Sequence, residues 1–331
     1  MASGGGIGVL LLQLGTPAAP TPAALKRYLR EFLSDPRVVD LPRAIWWPIL
    51  HLIVLQTRPR ASALLYQKIW TPEGSPLAVT TARQAALLEA RLSAADEPVR
   101  VLPAMRYGEP SIAAVLRTFA DQGIDRLLAF PMYPQYAGAT TGSSLERLFA
   151  LAQTMRVVPS IRVVPPYYAD ASYIEALAAV ARASMTATGA PELCLLSFHG
   201  LPARYAAEGD PYPTHCAETA RLVEAALGWP GTTFRTTYQS RFGREEWLQP
   251  YTDRTLEEAG RAGRRVAVMC PGFTADCLET LEEIGLRGAE QYQHAGGSSF
   301  HRVPCLNDHP AWIDAMTTIA RRELAGWTRR V

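Results

Sequence analysis

The 331-residue chain lacks the charge imbalance and the targeting signals that mark several common classes of protein. Its 33 basic and 31 acidic residues give a net charge of +2, which supplies no electrostatic basis for binding nucleic acid. The longest apolar run, residues 44–55, is interrupted by Pro48 and His51 and falls short of the roughly 20 residues that a spanning helix needs. Residues 1–6 carry no signal-peptide pattern, so we expect a cytoplasmic protein.

Cysteine is also scarce, and its spacing fits no common framework. The five residues are Cys194, Cys216, Cys270, Cys277 and Cys305, and no two of them form a C-x-x-C motif. An odd number in so long a chain argues against a disulfide scaffold, and no spacing matches a zinc or iron–sulfur site. We therefore expect buried free thiols in a reducing compartment.

The fingerprints of nucleotide-binding proteins are missing as well. No G-x-G-x-x-G follows an apolar run, and no G-x-x-x-x-G-K-[ST] occurs. The segment GATTGSS, from Gly138, has the residues to seat an anion at a helix N-terminus, and equally those of a turn with an N-cap. A dinucleotide or nucleotide-sugar enzyme is therefore disfavoured.

What the sequence does contain is a regular alternation of short apolar runs and longer segments of helical period. The pattern predicts parallel sheets built from right-handed strand–helix–strand units. The predicted strands are residues 9–14, 99–105, 127–130, 162–164, 193–197, 233–237 and 266–269. The helical patterns are clearest at residues 25–33, 81–92, 111–120, 172–183 and 310–324.

Six of these strands end in clusters of glycine, proline and polar residues, which is where ligands bind in open parallel sheets. The clusters form two sets of three, starting at Leu14, Arg106, Pro131, Ser197, Tyr238 and Cys270. We therefore predict two tandem α/β domains, residues 1–160 and 161–331. An apolar insertion at about residues 35–75 belongs to the first domain, and the last helix is expected to pack back on that domain.

Two groups of side chains in the second domain have the chemistry of a proton-transfer or metal site. His199 ends an apolar strand and precedes a Gly–Leu–Pro turn. This position suits a catalytic base or a metal ligand, and it equally suits a histidine that is hydrogen-bonded to the backbone. Glu279 and Glu283 are four residues apart, so a helix would place both on one face. If that face is buried, one of the two carboxyl groups should have a raised pKa. For Glu282 the helix dipole is a sufficient explanation.

The apolar run at residues 44–55 predicts a helix that is mostly buried in the core. Trp46 and Trp47 are adjacent and must point in different directions from that helix, so at least one of them should face a ligand or a membrane surface. Arg106 and Ser240 lie at strand ends, where basic and hydroxyl groups suit carboxylate binding.

Taken together, the strand-end strings resemble those of the ferrochelatase family from about residue 10 to 308. The telling segments are LLLQLGTP, FLSDPRVVDLP, EGSPL, MRYGEPSI, YPQYAGATTGSS, LLSFHGLPARY, YQSRFGREEWLQPYTD and VMCPGFTADCLETLEEI. Their shared order makes the resemblance specific. It implies two tandem Rossmann-like domains, each with a parallel sheet flanked by helices, and insertion of Fe²⁺ into protoporphyrin IX with release of two protons, the terminal step of haem biosynthesis.

The resemblance also implies roles for particular residues. His199 and Glu279 match the metal-insertion pair, and Glu283 matches the next acidic residue, so all three are catalytic candidates. The substrate-binding candidates are Leu14, Tyr66, Ser75, Arg106, Tyr107, Ser240 and Trp247.

The resemblance to the family also implies expectations for the cofactors, the binding partners and the cellular location of the protein. The loop at residues 137–144 has no cysteine and none follows Cys305, which excludes an animal-type [2Fe-2S] cluster; bacterial clusters use other cysteine sets. We expect no required cofactor, with porphyrin and ferrous iron as substrates and a peripheral contact at the inner face of a membrane. Leu14 and the apolar insertion favour protoporphyrin over coproporphyrin.

Three alternatives remain open at this point. The chain could be a coproporphyrin ferrochelatase, or a cobalt or sirohydrochlorin chelatase on the same fold. It could also be a non-catalytic porphyrin or haem carrier, although a carrier would not need both His199 and Glu279.

Overall fold

The computed structural model describes residues 6–93, 98–243 and 245–328, which form two compact units. Unit 1 contains the described residues up to Met132, then Gly138–Pro165, and the chain from Met316 onward. Unit 2 contains Tyr133–Ala137 and Pro166–Ala315. Of residues 1–6, only Gly6 lies within the described ranges, and it begins the first strand.

Unit 1 is built on a four-stranded parallel sheet with the order β2-β1-β3-β4. Its strands are β1 (Gly6–Gly15), β2 (Val99–Tyr107), β3 (Ile124–Pro131) and β4 (Ser160–Val163). Its helices are α1 (Pro22–Leu33), α2 (Arg43–Ile49), α3 (Leu55–Ile69), α4 (Pro76–Leu92), α5 (Ile112–Asp121) and α6 (Ser143–Ala152). β1 is central and its apolar run is buried on both faces, as expected for a parallel strand covered by helices.

Unit 2 repeats the same topology with the order β6-β5-β7-β8, again all parallel. Its strands are β5 (Leu193–His199), β6 (Thr233–Gln239), β7 (Val266–Met269) and β8 (Phe300–Arg302). The later helices are α7 (Ala171–Met185), α8 (Ala203–Ala207), α9 (Tyr212–Leu227), α10 (Thr252–Arg261), α11 (Ala289–His294) and α12 (Pro310–Leu324). The predicted α/β fold class is therefore confirmed.

Within the described part of the chain, three segments form π-helix, which the sequence pattern did not predict. They are Leu50–Val54, Gly138–Gly142 and Glu279–Gly288. The second follows β3 and the third comes after β7, so the two units carry a π-helical segment at equivalent points of their topology. π-Helical turns are rare and occur often at functional sites.

The end of the chain belongs to unit 1. Arg162, on β4, donates to the carbonyl oxygens of Glu323 and Ala325 at 2.7 and 2.9 Å. Arg126, on β3, donates to that of Trp327 at 2.9 Å. The second half of α12 and the turn after it are thus hydrogen-bonded to strands of unit 1.

The prediction of a mostly buried helix at residues 44–55 was wrong. Leu50 and Leu55 are buried, but Trp47, Leu52 and Ile53 are 45%, 74% and 59% exposed. Trp46 does turn inward, and its indole N–H donates to the Leu33 carbonyl at 2.7 Å. A mainly apolar run looks the same in a core helix and in a surface helix, so the pattern alone could not separate them. No helix among the described residues is both long and apolar enough to cross a membrane.

Candidate active site

The unit 2 site begins at His199, the last residue of the buried strand β5. Its Nδ1 lies 2.7 Å from the carbonyl oxygen of Gly200. Because a carbonyl oxygen can only accept, Nδ1 is the donor in this contact, and Nε2 is the ring nitrogen left for another partner. A partly exposed imidazole held in this orientation can accept a proton or bind a metal ion through Nε2.

Glycine at position 200 is required by close packing next to His199. A Cβ atom there would lie 2.8 Å from the Gln239 carbonyl oxygen and 3.0 Å from the ring of Trp247. The Gly200 N–H donates to that same carbonyl at 2.7 Å. The end of β5 is thereby locked to the end of β6, and the orientation of His199 follows from this contact.

The acidic pair lies on the π-helix Glu279–Gly288. The carbonyl of Glu279, its first residue, accepts a hydrogen bond from the Gln239 side-chain amide at 3.0 Å. Gln239 is itself oriented by Ser197, whose hydroxyl donates to its Oε1 at 2.7 Å. A buried polar relay from the centre of the sheet therefore fixes the beginning of this helix.

Glu283 is the most tightly held carboxyl group of the site. Its Oε1 accepts from the Ser240 backbone N–H at 2.8 Å, and its Oε2 accepts from the Ser240 hydroxyl at 2.5 Å. Burial raises the pKa of Glu283 above its usual range, and the nearby Glu279 charge acts in the same direction. The Ser240 hydrogen bond and the charges of His199 and Arg287 oppose that rise without cancelling it. This agrees with the expectation of one carboxyl group with a raised pKa.

Ser240 holds this carboxyl group, whereas Trp247 packs near Gly200 and against Phe242. Ser240 has a φ of 65°, uncommon for a residue with a side chain, and this turn aims both its N–H and its hydroxyl at Glu283. Trp247 is buried, packs on Phe242 with ring centroids 5.0 Å apart, and its indole N–H has no hydrogen-bond partner among the described residues.

Two other acidic residues of the same segment are engaged elsewhere. Glu282 is buried and lies 3.4 Å from Arg287, so it forms an ion pair rather than only interacting with the helix dipole. Asp276 accepts from Arg302, Thr280 and Asn307, each at 2.8 Å. Among the described residues, no group of three or more His, Cys, Asp or Glu side chains is arranged to hold a metal ion.

In unit 1, Arg106 and Tyr107 converge on a residue that the sequence analysis did not single out, Asp35. Oδ2 of Asp35 pairs with the Arg106 guanidinium and accepts from the Tyr107 hydroxyl at 2.8 Å and the Ser143 hydroxyl at 2.6 Å. The Arg106 Nε also donates to the Ser143 Oγ at 2.7 Å. These contacts join the turn after α1, the end of β2 and the start of α6.

The Asp35 carboxylate is fully compensated, and its pKa is lowered. Burial alone would raise that pKa, but the bonds from Ser143, Tyr107, the Arg37 N–H and the Arg106 charge outweigh burial. Burial raises the pKa of Tyr107 far above its usual range, so its hydroxyl stays protonated. No local pattern could reveal this cluster, because Asp35 is 71 residues from Arg106 and 108 from Ser143.

Two of the other unit 1 candidates, Ser75 and Leu14, lie near the carboxyl end of β1. Ser75 is buried and its Oγ is 2.8 Å from the Thr16 Oγ1. Tyr66 is buried with its ring edge toward Trp70, and Leu14 is partly exposed near the end of β1. A cavity of about 680 Å³ opens at this edge of the sheet. It is lined by Thr16, Pro17, Ala18, Ala24, Arg27, Tyr28, Arg30, Glu31, Ser34, Trp47, His51, Gly108 and Glu109.

The predicted site residues thus fall into two groups, one in each unit. The structure brings His199, Glu279, Glu283 and Ser240 together in unit 2, with Trp247 behind Gly200. In unit 1 it brings Arg106 and Tyr107 together and seats Ser75 against Thr16. The five cysteines are buried free thiols, as predicted, and burial raises the pKa of each.

Two solved structures share the fold of this chain. SirB from Bacillus subtilis with Fe³⁺ matches with a TM-score of 0.56 and 17% identity, over 77% of this chain and 93% of its own. The sirohydrochlorin chelatase SirB from Bacillus subtilis subspecies spizizenii, in complex with cobalt, matches with a TM-score of 0.56 and 12% identity, over 97% of both chains. The fold class is therefore the two-domain Rossmann-like fold that these chelatase structures share.

Sequence comparison narrows the class to one family. The ferrochelatase family matches residues 6–324. The ferrochelatase of Azoarcus sp. (strain BH72) is 52% identical over 97% of this chain and 88% of its own, and that of Mesorhizobium japonicum is 49% identical over 98% and 93%. The chain therefore belongs to the ferrochelatase family, metal chelatases of the lyase class that insert ferrous iron into a porphyrin in haem biosynthesis. The predicted family is confirmed.

Proposed function

We propose that the porphyrin is protoporphyrin IX and that the product is protohaem, with His199, Glu279 and Glu283 as the catalytic residues. The observation that carries the assignment is the cluster in unit 2, where an imidazole with its Nε2 left for a partner interacts electrostatically with a carboxyl group of raised pKa. Metal insertion releases two pyrrole protons, so the site needs groups that accept protons near neutral pH.

In this proposal, His199 and the acidic pair, Glu279 and Glu283, have different roles in proton transfer and metal binding. The free Nε2 of His199 accepts a pyrrole proton or delivers the metal ion, since its Nδ1 is committed to the Gly200 carbonyl. Glu279 is the second metal ligand. Glu283 takes up and passes on protons, because its raised pKa lets it change protonation state more easily than an exposed glutamate. Binding energy from the rest of the macrocycle supports the bending that exposes the nitrogen lone pairs.

The substrate contacts are proposed for the remaining candidates, Leu14, Tyr66, Ser75, Arg106, Tyr107, Ser240 and Trp247. Tyr107 and Ser240 act through the groups they hold, since the Tyr107 hydroxyl is bonded to Asp35 and that of Ser240 to Glu283. Arg106 remains partly exposed beside Asp35 and keeps the positive charge that suits a propionate.

A protoporphyrin substrate is supported by apolar surface in unit 1. Trp47, Leu52 and Ile53 are exposed, and such a surface matches a substrate with an apolar edge. The same surface supports a peripheral contact with the inner face of a membrane by a cytoplasmic protein. We further propose that no cofactor is required and that no [2Fe-2S] cluster is present. The alternatives are a coproporphyrin substrate and a non-catalytic carrier.

The test is an anaerobic assay in which purified protein is mixed with protoporphyrin IX and Fe²⁺, or Zn²⁺, and metalloporphyrin absorbance is followed. We expect wild type to turn over, and His199→Ala and Glu279→Gln to lose at least 100-fold in kcat while still binding porphyrin. Binding without insertion by wild type would support the carrier. Turnover of coproporphyrin III but not protoporphyrin IX would replace the proposed substrate.

A further inference from the structure

A second, smaller cavity of about 330 Å³ adjoins the first one, with which it shares Arg27, Arg30 and His51, and no acidic residue lines it. Its lining residues are Ala23, Lys26, Arg27, Arg30, His51, Leu55 and Gln56. Lys26, Arg27 and Arg30 are at positions i, i+1 and i+4 of the helix, so their side chains spread over one side of α1. The cavity therefore combines a cationic wall with an apolar floor.

The polar wall of this cavity is organised rather than a chance meeting of surface side chains. Lys26 donates to the Oε1 of Gln56 at 3.2 Å, and the Nε2 of Gln56 donates to the His51 carbonyl at 2.9 Å. His51 packs on Trp47 with ring centroids 4.6 Å apart. One amide thus links the cation of α1 to the π-helical turn that precedes α3.

The cationic wall also has unused binding capacity. Within the described ranges, neither Arg27 nor Arg30 has a side-chain hydrogen bond or an ion pair, and the His51 Nε2 is buried without a partner. Glu31, the nearest acidic residue along α1, accepts from the Gly108 N–H at 3.0 Å. The guanidinium groups are therefore available to an external anion.

The surroundings of the cavity indicate what kind of anion would enter it. The exposed apolar side chains Trp47, Leu52 and Ile53 belong to the same short segment as His51. From Leu41 to Pro72 the chain has no aspartate or glutamate, but it has three arginines, a lysine and a histidine. An anion with an apolar body fits a basic pocket beside an apolar surface, whereas a small soluble anion would use only the pocket.

We propose that this cavity binds the phosphate group of an anionic phospholipid while the neighbouring apolar side chains enter the membrane interface. The proposal rests on the proposed peripheral membrane contact and gives it a headgroup preference. Basic side chains near an anionic bilayer each strengthen binding several-fold, and apolar side chains add a charge-independent part. The contact should therefore distinguish anionic from neutral lipid.

The experiment is vesicle co-sedimentation of the full chain at constant ionic strength. Wild type is expected to bind vesicles of phosphatidylcholine with phosphatidylglycerol at least tenfold more tightly than phosphatidylcholine alone. Lys26→Glu/Arg30→Glu should lower the affinity for the anionic vesicles at least tenfold and leave that for neutral vesicles within twofold. Glycerol 1-phosphate at matched ionic strength should compete.

A control variant separates a built pocket from diffuse charge attraction. Arg117→Glu/Arg147→Glu changes the net charge equally at exposed positions on α5 and α6 and should lower anionic binding less than threefold. An equal loss of affinity for anionic vesicles in both variants, or no competition by glycerol 1-phosphate, would contradict the proposed phosphate-binding pocket. Equal binding of wild type to anionic and neutral vesicles would contradict the phosphate-binding pocket but would still support the membrane contact. Binding to neither kind of vesicle would contradict the pocket and the membrane contact. Metalloporphyrin synthesis without vesicles tests the chelatase function separately.

Discussion

The two units have the same sheet order, and in each a carboxyl group is hydrogen-bonded at the carboxyl edge of the sheet. The pKa of that carboxyl group is shifted in opposite directions in the two units. In unit 1, the end of β2 bonds to Ser143, at the start of the helix that follows β3, and both bond to Asp35. In unit 2, Ser240, just beyond the end of β6, bonds to Glu283 in the π-helix after β7. The first arrangement lowers the pKa of its carboxyl group, and the second leaves it raised.

The difference lies in how completely each carboxyl group is compensated. Asp35 is matched by a guanidinium, two hydroxyls and a backbone N–H, so its charge is stable and it acts as a cross-link. For Glu283, burial outweighs the Ser240 hydroxyl and N–H and the charges of His199 and Arg287, and the like charge of Glu279 adds to the effect of burial. A buried carboxylate whose charge is incompletely compensated lowers the stability of the folded protein, and the same group can exchange protons. We therefore expect substitutions in unit 1 to affect folding and those in unit 2 to affect turnover.

The largest effect should come from Glu283→Gln. The amide cannot carry protons, so kcat for metalloporphyrin formation should fall at least 100-fold. The melting temperature should change by less than about 3 °C, because the raised pKa shows that the site favours the neutral form. Steady-state assays and thermal unfolding measure the two quantities.

The matched control for this variant is Glu290→Gln, an exposed position on α11, which should change kcat less than twofold. If Glu283→Gln retained its kcat, the raised pKa would be a packing effect and the contrast between the units would lose its functional meaning.

Asp35→Ala should reduce the stability of the protein, in contrast to Glu283→Gln, which should reduce turnover. Removing one partner of a buried ion pair leaves the other uncompensated, so the free energy of unfolding should fall by about 3 kcal/mol. Urea unfolding followed by tryptophan fluorescence measures this change. Asp121→Ala, at an exposed position on α5, should cost less than about 0.5 kcal/mol. Equal stability of the two variants would show that the cluster is not a cross-link.

Much of this fold could be predicted because seven of the eight strands in the described residues coincide with short runs that alternate with segments of helical period, and six of these runs end in turn residues. β8 was missed because Phe300–Arg302 is only three residues long and partly exposed, so it has no apolar pattern. The predicted division of the chain at residues 160 and 161 lies five residues before Pro166, where unit 2 resumes. No local signal marks the assignment of Tyr133–Ala137 to unit 2, because contacts distant in sequence decide it.

The candidate site could be predicted from local pattern only in part. His199 and the glutamate spacing are visible along the chain, and so is the conflict between two like charges. The bond from Ser240 to Glu283 is not, since it depends on a positive φ and on a π-helix whose residues would equally suit an α-helix. Asp35 was missed for the same reason: its importance comes from three partners that are brought together only by the fold.

A smaller and more specific test of the comparison is Ser240→Ala. The Ser240 hydroxyl lowers the pKa of Glu283, so removing it should raise that pKa further and move the acidic limb of kcat/KM to higher pH. Ser240→Gly should give the same shift with less backbone strain, because glycine tolerates the positive φ. A rise in KM that does not depend on pH, with an unmoved acidic limb, would instead support direct contact with the substrate.

The smallest expected effect is the pH dependence of stability that Asp35 contributes. Its pKa is lower in the folded chain than in the unfolded chain, so the unfolded state binds more protons between the two values. The stabilisation is therefore fully present above about pH 4 and is lost as pH falls through the folded pKa, with a slope below about 1.4 kcal/mol per pH unit for one group. Asp35→Asn should flatten the urea-unfolding free energy in this acidic range, whereas Glu283→Gln should not. If both variants kept the wild-type slope, the acid sensitivity would arise from other carboxyl groups and Asp35 would not be the compensated charge that distinguishes unit 1.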